Sequence, residues 1–327
     1  VDKDNKPVGP ALSGEITNDK DPVTGKMGEI IAERGNVTLV ALAVNQLGRV
    51  SATTSVTHKG SIRLLARQGN SEELEPALGN KVLSAVETGN AVLGADSVTE
   101  VLPYTPKEAE TGQTIADDQL FHPSTVQVVG KTITLEDRAK IIVPGGHVTL
   151  SAQAKGNEYQ LPGDQRNASR VYLGQGSVID TSGVKNVAAS VERYFKEVDL
   201  RGTELADDPL NRNGFLRGKK VWVDLRDLPD ESFANLTAYR DAIPRTVAEK
   251  LSAGGGVTVR SEGDIVQRAG SLIDVSGGTL NHSGGRGRTS SVISNGVVID
   301  IAQATGDRVY DGILGQYTST DAKWGVT

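Results

Sequence analysis

Three stretches of the chain alternate short apolar and polar phrases with glycine or asparagine turns. They cover Gly28–Gly69, Thr125–Ala152 and Gly254–Gly278. Within each stretch apolar and polar residues alternate with a period of two, and a turn residue interrupts the alternation about every 8 to 12 residues. This pattern predicts short β-strands rather than helices. The phrases NVTL, HVTL and GVTV occupy similar places in the three stretches, which indicates an internal repeat.

Repeated short strands without intervening helices are typical of a β-solenoid, in which each coil takes ~20–25 residues. A single coil cannot bury its own apolar face, so the stacking of coils makes the core continuous. We therefore predict an all-β fold, a parallel β-helix with insertions that contain short helices. We expect its coils in residues 28–183 and 254–327, the latter with a C-terminal extension.

One phrase occurs twice, as GSVIDTSG at Gly176–Gly183 and as GSLIDVSG at Gly270–Gly277. We interpret it as the corner of two coils, with one apolar residue of each short strand pointing into the core. Asp180 and Asp274 would then accept backbone N–H groups, as aspartates do in Asx turns.

The last glycine of each phrase, Gly183 and Gly277, is expected to adopt the positive φ of a tight corner. Stacked carboxylates at Asp180 and Asp274 would also suit a hard cation such as Ca²⁺. The calcium-binding nonapeptide repeat is missing from the sequence, so we predict structural turns at these four residues and no metal site.

Other parts of the chain depart from the strand pattern. Residues 1–27 are polar and rich in turn residues, and we predict a lead-in loop there. We predict an acidic insertion at about 70–123 and an aromatic-rich excursion at 184–253. The excursion contains two short helical patterns, DESFANLTAYRDAI and RTVAEKLSAGG. We expect its rings to pack against the outside of the coils.

The composition agrees with a fold of short strands and tight turns. The chain has 327 residues with 38 Gly, 2 Trp, 7 Tyr and 4 Phe, and it has no Cys. A net charge of −6 and the lack of a basic stripe exclude nucleic acid as a partner. No run reaches the ~20 apolar residues of a membrane helix, so we predict no membrane insertion.

Four passages give the chain a family resemblance. They contain GNVTLVALAVNQLGRVSATTSV, GGHVTLSA with RVYLGQGSVIDTSG, VDLRGTELADDPLNRNGFLRGKKVWVDLRD, and AGGGVTVRSEGDIVQRAGSLIDVSGG. Together they resemble the filamentous haemagglutinin-like large exoproteins (TpsA type) of two-partner secretion. The third passage is the most particular, because nothing in the physics of a solenoid requires it.

The resemblance implies a right-handed parallel β-helix that is exported unfolded through an outer-membrane transporter of the TpsB type. It implies a secreted or cell-surface protein, outside the outer membrane, that serves as an adhesin, a biofilm matrix protein or a stalk. Its partners would be host-cell or matrix glycans, or neighbouring copies in a filament. The chain has no Asn-Pro, which the secretion domain of the family carries, so we expect an internal rod segment.

A polysaccharide-binding or polysaccharide-degrading β-helix is the alternative function. Glycosidases need two carboxylates beside the scissile bond, and the histidines are too scattered in sequence for a metal or nucleophile motif. The motifs of galacturonases are missing. We therefore predict no catalytic residues and no cofactor. The acidic pairs considered are Asp117 with Asp118, Asp207 with Asp208, and Asp224 with Asp227; the histidines are His58, His122, His147 and His282.

Aromatic rings on a rigid scaffold are common platforms for sugars and protein partners. The excursion holds six of the 13 aromatic residues, so we place the candidate ligand-binding residues there, at Trp222, Phe215, Phe233 and Tyr239. The competing interpretation is that these rings only bury one another. The predicted function is thus a non-catalytic structural and adhesive rod of a bacterial surface filament.

Overall fold

The computed structural model describes residues 14–68, 71–75, 80–84, 87–105, 114–116, 118–154, 168–226, 232–285, 287–315 and 317–319. The described chain is mostly β-strand, with a few short helical turns, so the predicted all-β class is confirmed. Backbone contacts divide it into two compact units. Unit 1 takes the described residues of 1–113, 121–187 and 246–279; unit 2 takes those of 114–120, 188–245 and 280–327.

Three parallel sheets make up most of unit 1. The first contains, in spatial order, β1 (Glu15–Asn18), β4 (Ala43–Gln46), β10 (Asn90–Leu93), β14 (Thr132–Leu135), β17 (Arg170–Leu173) and β24 (Asp264–Gln267). The second contains β2 (Glu29–Ala32), β5 (Arg49–Thr54), β11 (Val98–Pro103), β15 (Lys140–Ile142), β18 (Val178–Asp180) and β25 (Leu272–Asp274).

The third sheet contains five parallel strands and one short antiparallel strand. Its parallel order is β3 (Asn36–Ala41), β6 (Ser61–Gln68), β13 (Thr125–Gly130), β16 (His147–Ala152) and β23 (Gly256–Ser261), and β9 (Glu87–Thr88) pairs antiparallel with β6. An antiparallel hairpin of β7 (Ser71–Glu75) and β8 (Asn80–Ser84) also belongs to this unit. Helix α2 (Val247–Lys250) precedes β23.

The chain visits the three sheets of unit 1 in a fixed rotation. Within the described residues it passes through the first, second and third sheet in that order five times, and β24 and β25 then return to the first and second sheets. Each strand pairs in register with the strand of the next circuit. Equivalent positions of successive circuits therefore form columns, such as Val44, Ala91, Ile133, Val171 and Ile265 in the first sheet.

These columns form the core of unit 1. Alternate residues of each strand point to opposite sides of a sheet, and the inward residues of the middle strands are fully buried, for example Ile133, Leu135 and Val171. The exposure of the inward positions rises at the last strands, where Ile265 is 53% exposed and Ile273 is only partly buried. A strand at the edge of a stack has a neighbour on one side only, so its apolar side chains lose half of their packing partners.

Unit 2 is built from smaller sheets, of which the two three-stranded ones are antiparallel. One contains β20 (Phe195–Asp199), β21 (Lys219–Asp224) and β30 (Tyr317–Ser319), and another contains β27 (Ser290–Ser294), β28 (Val297–Asp300) and β29 (Gly312–Gly315). Two-stranded pairings join β12 (Thr114–Ala116) to β22 (Pro244–Thr246) and β19 (Val187–Ser190) to β26 (Leu280–Ser283). Helix α1 (Thr237–Asp241) and 3₁₀ turns at Val191–Tyr194 and Ile301–Gln303 complete it.

The strand assignments differ from the predicted division of the chain in three places. Strand β1 lies within the predicted lead-in loop, because its sequence EITN has a single apolar residue to mark it. Strands β10 and β11 lie within the predicted acidic insertion and pair in the large parallel sheets. Residues 290–315 contribute antiparallel strands to unit 2 instead of the predicted coils. Helices α1 and α2 lie within the two segments with helical patterns.

The repeated phrase forms adjacent strands of the second sheet. Strands β18 and β25 pair in register, with Ile179 opposite Ile273 and Asp180 opposite Asp274. Each aspartate accepts a hydrogen bond from the backbone N–H two residues later, at 2.8 Å for Asp180 and 2.9 Å for Asp274. Hydrogen bonds from Ser276 lower the pKa of Asp274. These are the Asx turns that the sequence predicts.

The expected positive φ at the last glycine of each phrase is wrong. Within the described residues positive φ occurs at the first glycine instead, 67° at Gly176 and 77° at Gly270. Gly183 is required for a different reason: a Cβ atom there would collide with the carbonyl oxygen of Ser252 and lie 2.5 Å from the backbone nitrogen of Gly278. At Gly277 a Cβ atom would meet nothing within 4 Å.

The positive φ at the first glycine belongs to a turn that recurs in four circuits. In each, the residue at the third turn position has positive φ, and the next N–H donates to the first carbonyl, for example Ser177 to Gly174 at 3.2 Å. This combination is the signature of a type II turn. The third positions are Asp96, Arg138, Gly176 and Gly270.

The first two of these turns hold a non-glycine residue at the strained position. Arg138 donates from Nε to Asp96 Oδ1 at 2.7 Å and from Nη2 to Asp96 Oδ2 at 2.9 Å. The hydrogen bonds from Arg138 lower the pKa of Asp96. This bidentate pair offsets part of the strain that a left-handed backbone imposes on both residues.

Candidate functional site

One of the four predicted binding rings belongs to the core of unit 2. Phe233 is only 1% exposed and packs edge-to-face on Tyr310, with ring centroids 6.0 Å apart. Its neighbours in this core include Leu216, Val221 and Val292. Its assignment as a ligand-binding residue is therefore corrected, because a ring without accessible surface cannot stack on a ligand. The excursion thus buries this ring in a core of its own.

The other three predicted rings have different surroundings. Phe215 is 46% exposed, and the ammonium of Lys219 lies 5.5 Å from its ring centroid. Trp222 is half-buried on β21, between the buried residues Val221 and Val223. The hydroxyl oxygen of Tyr239 accepts the backbone N–H of Asp199 at 3.2 Å, and its ring packs against the core of unit 2. Phe215 therefore keeps much of its ring surface accessible, whereas Trp222 and Tyr239 are both half-buried.

A cleft of about 380 Å³ in unit 2 brings together residues that sequence reasoning did not select. We call it the basic–aromatic cleft; it is lined by Tyr194, Leu225, Arg226, Arg240, Ile243, Arg245 and His282. These residues come from the end of a 3₁₀ turn, the end of β21, helix α1, strand β22 and strand β26. Each of the three arginines sits in a different local pattern, so no spacing in the sequence marks them as a group.

Tyr194 is the aromatic centre of this cleft. Its hydroxyl lies 3.1 Å from Nε2 of His282 and accepts a hydrogen bond from Nη2 of Arg193 at 2.9 Å. The rings of Tyr194 and His282 have centroids 5.7 Å apart. The backbone N–H of Leu225 donates to the carbonyl of Tyr194 at 3.0 Å, so the end of β21 is held beside this ring.

Arg226 is positioned by rings on one side and a carboxylate on the other. Its guanidinium lies 5.7 Å from the ring centroid of Tyr194 and 5.4 Å from that of Phe195, within the range of cation–π attraction. It also makes bidentate hydrogen bonds to Asp224, donating from Nε to Oδ1 at 3.0 Å and from Nη2 to Oδ2 at 2.6 Å. Burial raises the pKa of Asp224, but the hydrogen bonds and charge of Arg226 outweigh it, so the pKa is lowered.

Two carboxylates offset part of the positive charge of the cleft. Asp224 pairs with Arg226, and Asp241 lies 3.5 Å from Nε of Arg240. The floor is apolar, since Leu225 and Ile243 are each 2% exposed. Guanidinium groups above an apolar floor, with one aromatic face, suit a ligand that has both a polar group and a flat apolar side.

A second cleft of unit 2, of about 370 Å³, has an acidic character. It is lined by Glu204, Asp207, Asp208, Ser232, Phe233, Ala234, Asn235, Leu236, Thr237, Arg240 and Gly306. The carboxylate of Asp208 is already engaged: Oδ1 accepts the backbone N–H groups of Leu210 and Asn211, each at 3.1 Å, and Oδ2 accepts the side chain of Asn211 at 2.6 Å. Asp208 therefore holds a turn together.

The structure does not show the other acidic pairs named from the sequence as pairs of free carboxylates. Asp224 is paired with Arg226, as described above. Asp117 and Asp227 lie outside the described residues. In the part of the chain that the structure describes, no group of three His, Asp or Glu side chains is placed to hold a metal ion.

Comparisons of the chain with protein-family models, curated proteins and solved structures give no match. Among the described residues, no helix is both long enough and apolar enough to span a membrane.

Proposed function

We propose that unit 1 is a right-handed parallel β-helix and that the protein is a structural and adhesive rod segment of a secreted bacterial surface filament. One observation supports the proposal. The chain passes through the three sheets of unit 1 in a fixed order, and each strand pairs in register with the equivalent strand of the next circuit. A chain that winds in this way stacks coil on coil, which is the architecture of a spacer.

The stiffness of such a rod follows from its backbone. Each middle strand of the three sheets has a paired strand on both edges, and its inward apolar side chains are buried. Long segments separate consecutive strands of the three sheets, for example between β11 and β13 and between β18 and β23, and the strand pairings stay continuous across them. We propose that such segments carry the contact surfaces.

Export and location rest on the family resemblance of the sequence passages. The proposed route is through an outer-membrane transporter of the TpsB type, with folding outside the outer membrane. Lack of cysteine favours this route, because a chain that crosses a membrane unfolded cannot then be trapped by a disulfide. The proposed partners are host-cell or matrix glycans and neighbouring copies of the filament.

The β-helix is tested by distances between spin labels. The chain has no native cysteine, so labels can be placed on the outward column Asn45, Thr134 and Tyr172 of β4, β14 and β17. Stacked coils predict that the separation grows by ~4.8 Å for each coil between two labels. Separations that do not grow with the number of coils would disprove the stack.

Adhesion is tested by binding of the purified chain to a glycan array. We expect saturable binding to a subset of glycans, with unit 2 carrying the contact. A folded chain that binds no glycan would remove the adhesive part of the proposal and leave the rod standing, since the spin-label distances measure the rod independently.

A polysaccharide-degrading function is the second candidate, and the acidic cleft is the observation that favours it. Glu204 and Asp207 both line this cleft beside Asn235, and two carboxylates are what a glycosidase requires. Release of reducing ends from a polysaccharide panel would establish this function, provided that Glu204→Gln abolishes it. A panel without any release would reject it.

A further inference from the structure

We infer that the two ends of the unit 1 stack bind each other, so that copies of the chain join head to tail. The first end consists of strands β1, β2 and β3, and the last end consists of strands β23, β24 and β25. The inference rests on the proposed rod and names the partner of its ends, which is a second copy of this chain.

Both ends of the stack present unpaired strand edges. Within the described residues each of the six end strands has a parallel neighbour on one edge only. Alternate residues of a parallel strand direct their backbone N–H and C=O groups to opposite edges. The N–H of Asp264 donates at 3.0 Å to the carbonyl that precedes β17, so the backbone groups of Ile265 and Gln267 point away from the stack. On β1 the carbonyl of Asn18 accepts at 2.7 Å from the N–H that follows β4, so the backbone groups of Thr17 point away. Such edges are templates for another strand.

The apolar columns of the core are incompletely covered at both ends. In the described part of the chain, the partly buried aliphatic side chains that pack against the core of unit 1 all come from the end strands; they are Ile16, Ile30, Ala32, Leu39, Val257, Val259 and Ile273. Ile265, the inward residue of β24, is 53% exposed. A second copy at either end would remove this aliphatic surface from water, which favours association.

The two ends match when the register of the stack continues into the next copy. In each of the three sheets an aliphatic residue of the last strand then meets an aliphatic residue of the first: Ile265 with Ile16, Ile273 with Ile30, and Val259 with Leu39. Two copies that met by their last ends would run their strands in opposite directions and lose this register. A head-to-tail contact leaves one free end of each kind, so it extends into a filament.

An amide pair marks the register of the contact. Nδ2 of Asn18 donates to Oε1 of Gln46 at 2.7 Å inside the first end of the stack. Leucines fill the same column in the middle circuits, and Gln267 ends it. In the next copy Gln267 meets Asn18, and each amide has both donors and acceptors for a second partner. A slip of two residues would instead press Gln267 onto an aliphatic side chain, and burial of an amide without a partner is costly.

The outer face of this contact carries one like-charge pair. Asp264 would lie opposite Glu15 of the next copy, and like charges directly opposite each other on a sheet repel. Nη2 of Arg170 lies 3.6 Å from Asp264 and offsets part of this repulsion. Salt screens surface charges, so association should strengthen as the salt concentration rises.

Sedimentation velocity of the full chain over a range of concentrations tests the association. We expect species larger than a monomer that increase with protein concentration. Ile265→Lys should weaken association at least about tenfold, because it places a charge where the apolar columns meet. Val298→Lys is the matched control: Val298 of β28 is 52% exposed in unit 2, and its replacement should change association less than about twofold. Asp264→Asn should strengthen association at low salt. Circular dichroism checks that each variant is folded.

Disulfide formation between two single variants tests the direction of the contact. The chain has no native cysteine. In the continued register Thr17 and Val266 lie directly opposite each other, at the ~4.8 Å spacing of paired strands, which a disulfide can bridge. A mixture of Thr17→Cys and Val266→Cys should form a mixed dimer faster than either variant links to itself. A mixture of Val298→Cys and Val266→Cys should not.

Each outcome decides the inference. It is overturned by a chain that stays monomeric, by equal weakening in Ile265→Lys and Val298→Lys, by weaker association of Asp264→Asn, or by self-linking of Val266→Cys as fast as its linking to Thr17→Cys. The spin-label distances test the rod separately, because they are measured within one chain. Distances that grow along the stack of a monomeric chain would leave the rod standing and remove only the head-to-tail contact.

Discussion

Glycine has three different roles in the repeated phrase of unit 1. Gly176 and Gly270 provide the positive φ of a type II turn, which glycine adopts without strain. Gly183 lacks a side chain because backbone atoms of Ser252 and Gly278 occupy the space of a Cβ. Gly277 ends the same phrase in the next circuit, and a Cβ atom there would meet nothing within 4 Å. Identical residues in two adjacent circuits therefore meet different physical demands.

Alanine substitutions at Gly183 and Gly277 should differ in their effect on stability. Gly183→Ala forces a methyl group into backbone atoms that cannot move aside, so it should lower the free energy of unfolding by about 2 kcal/mol or more. Gly277→Ala should leave stability within about 0.5 kcal/mol of the wild type or raise it slightly, because alanine restricts the unfolded chain. Urea unfolding followed by circular dichroism measures both. Equal losses in the two variants would contradict this account of Gly183.

At the scale of the strand, stability depends on where a residue stands in its column. Ile133 and Ile265 occupy the same column of the first sheet, two strands apart, in β14 and β24. Ile133 is fully buried and has strands on both sides, whereas Ile265 is 53% exposed. The alternation of the sequence marks both as inward residues, and only their place in the stack separates them.

Truncation of these two isoleucines tests the stacking directly. Ile133→Ala should lower the free energy of unfolding by about 3 kcal/mol, since it removes buried methyl groups and leaves a cavity. Ile265→Ala should lower it by less than about 1 kcal/mol, because the side chain already contacts water. The measurement is the same urea titration, with Ile265→Ala as the matched control. Comparable losses would mean that the last strand is covered by further packing in solution.

The sequence predicts well which segments form strands. The alternating phrases at 36–41, 125–130, 147–152 and 256–261 are all strands of the third sheet. Of the strands that sequence reasoning missed, β1 (EITN) has a single apolar residue, whereas β10 (NAVL) is mostly apolar but only four residues long. Their pairing is decided by the ladders of neighbouring circuits, which no local pattern reports.

At the scale of the whole molecule, unit 1 and unit 2 each have a core of their own. The core of unit 1 consists of aliphatic columns, and that of unit 2 includes the large rings Phe233 and Tyr310. Several surface aspartates in both units have lowered pKa values, among them Asp96 and Asp274 of unit 1 and Asp224 of unit 2. Their common cause is hydrogen bonding to the ionised carboxylate, which for Asp224 outweighs the effect of burial.

These aspartates predict how stability depends on pH. An aspartate has its ordinary pKa of about 4 in the unfolded chain and a lower one in the folded protein. The folded state then binds fewer protons, so the stabilisation is present above about pH 4 and is lost as the pH falls through the folded values. Urea midpoints should stay level between pH 7 and 5 and fall below about pH 4.

The triple variant with Asp96→Asn, Asp224→Asn and Asp274→Asn is the control for this prediction. Asparagine keeps the size and one oxygen acceptor of aspartate but does not titrate in this range. Its urea midpoint should fall less than that of the wild type between pH 4 and 2.5. An equally steep fall would assign the acid sensitivity to other carboxylates.

The sequence by itself determined the all-β class, the strand periodicity, the Asx turns at Asp180 and Asp274 and the separate character of the aromatic-rich region. These features depend on neighbours within a few residues, so a local pattern contains them. Only the tertiary structure decided which glycine takes positive φ, that Phe233 is buried, and that Tyr194, Arg226, Arg240, Arg245 and His282 line one cleft. The reason is that close approach, burial and convergence are set by residues far apart in the chain.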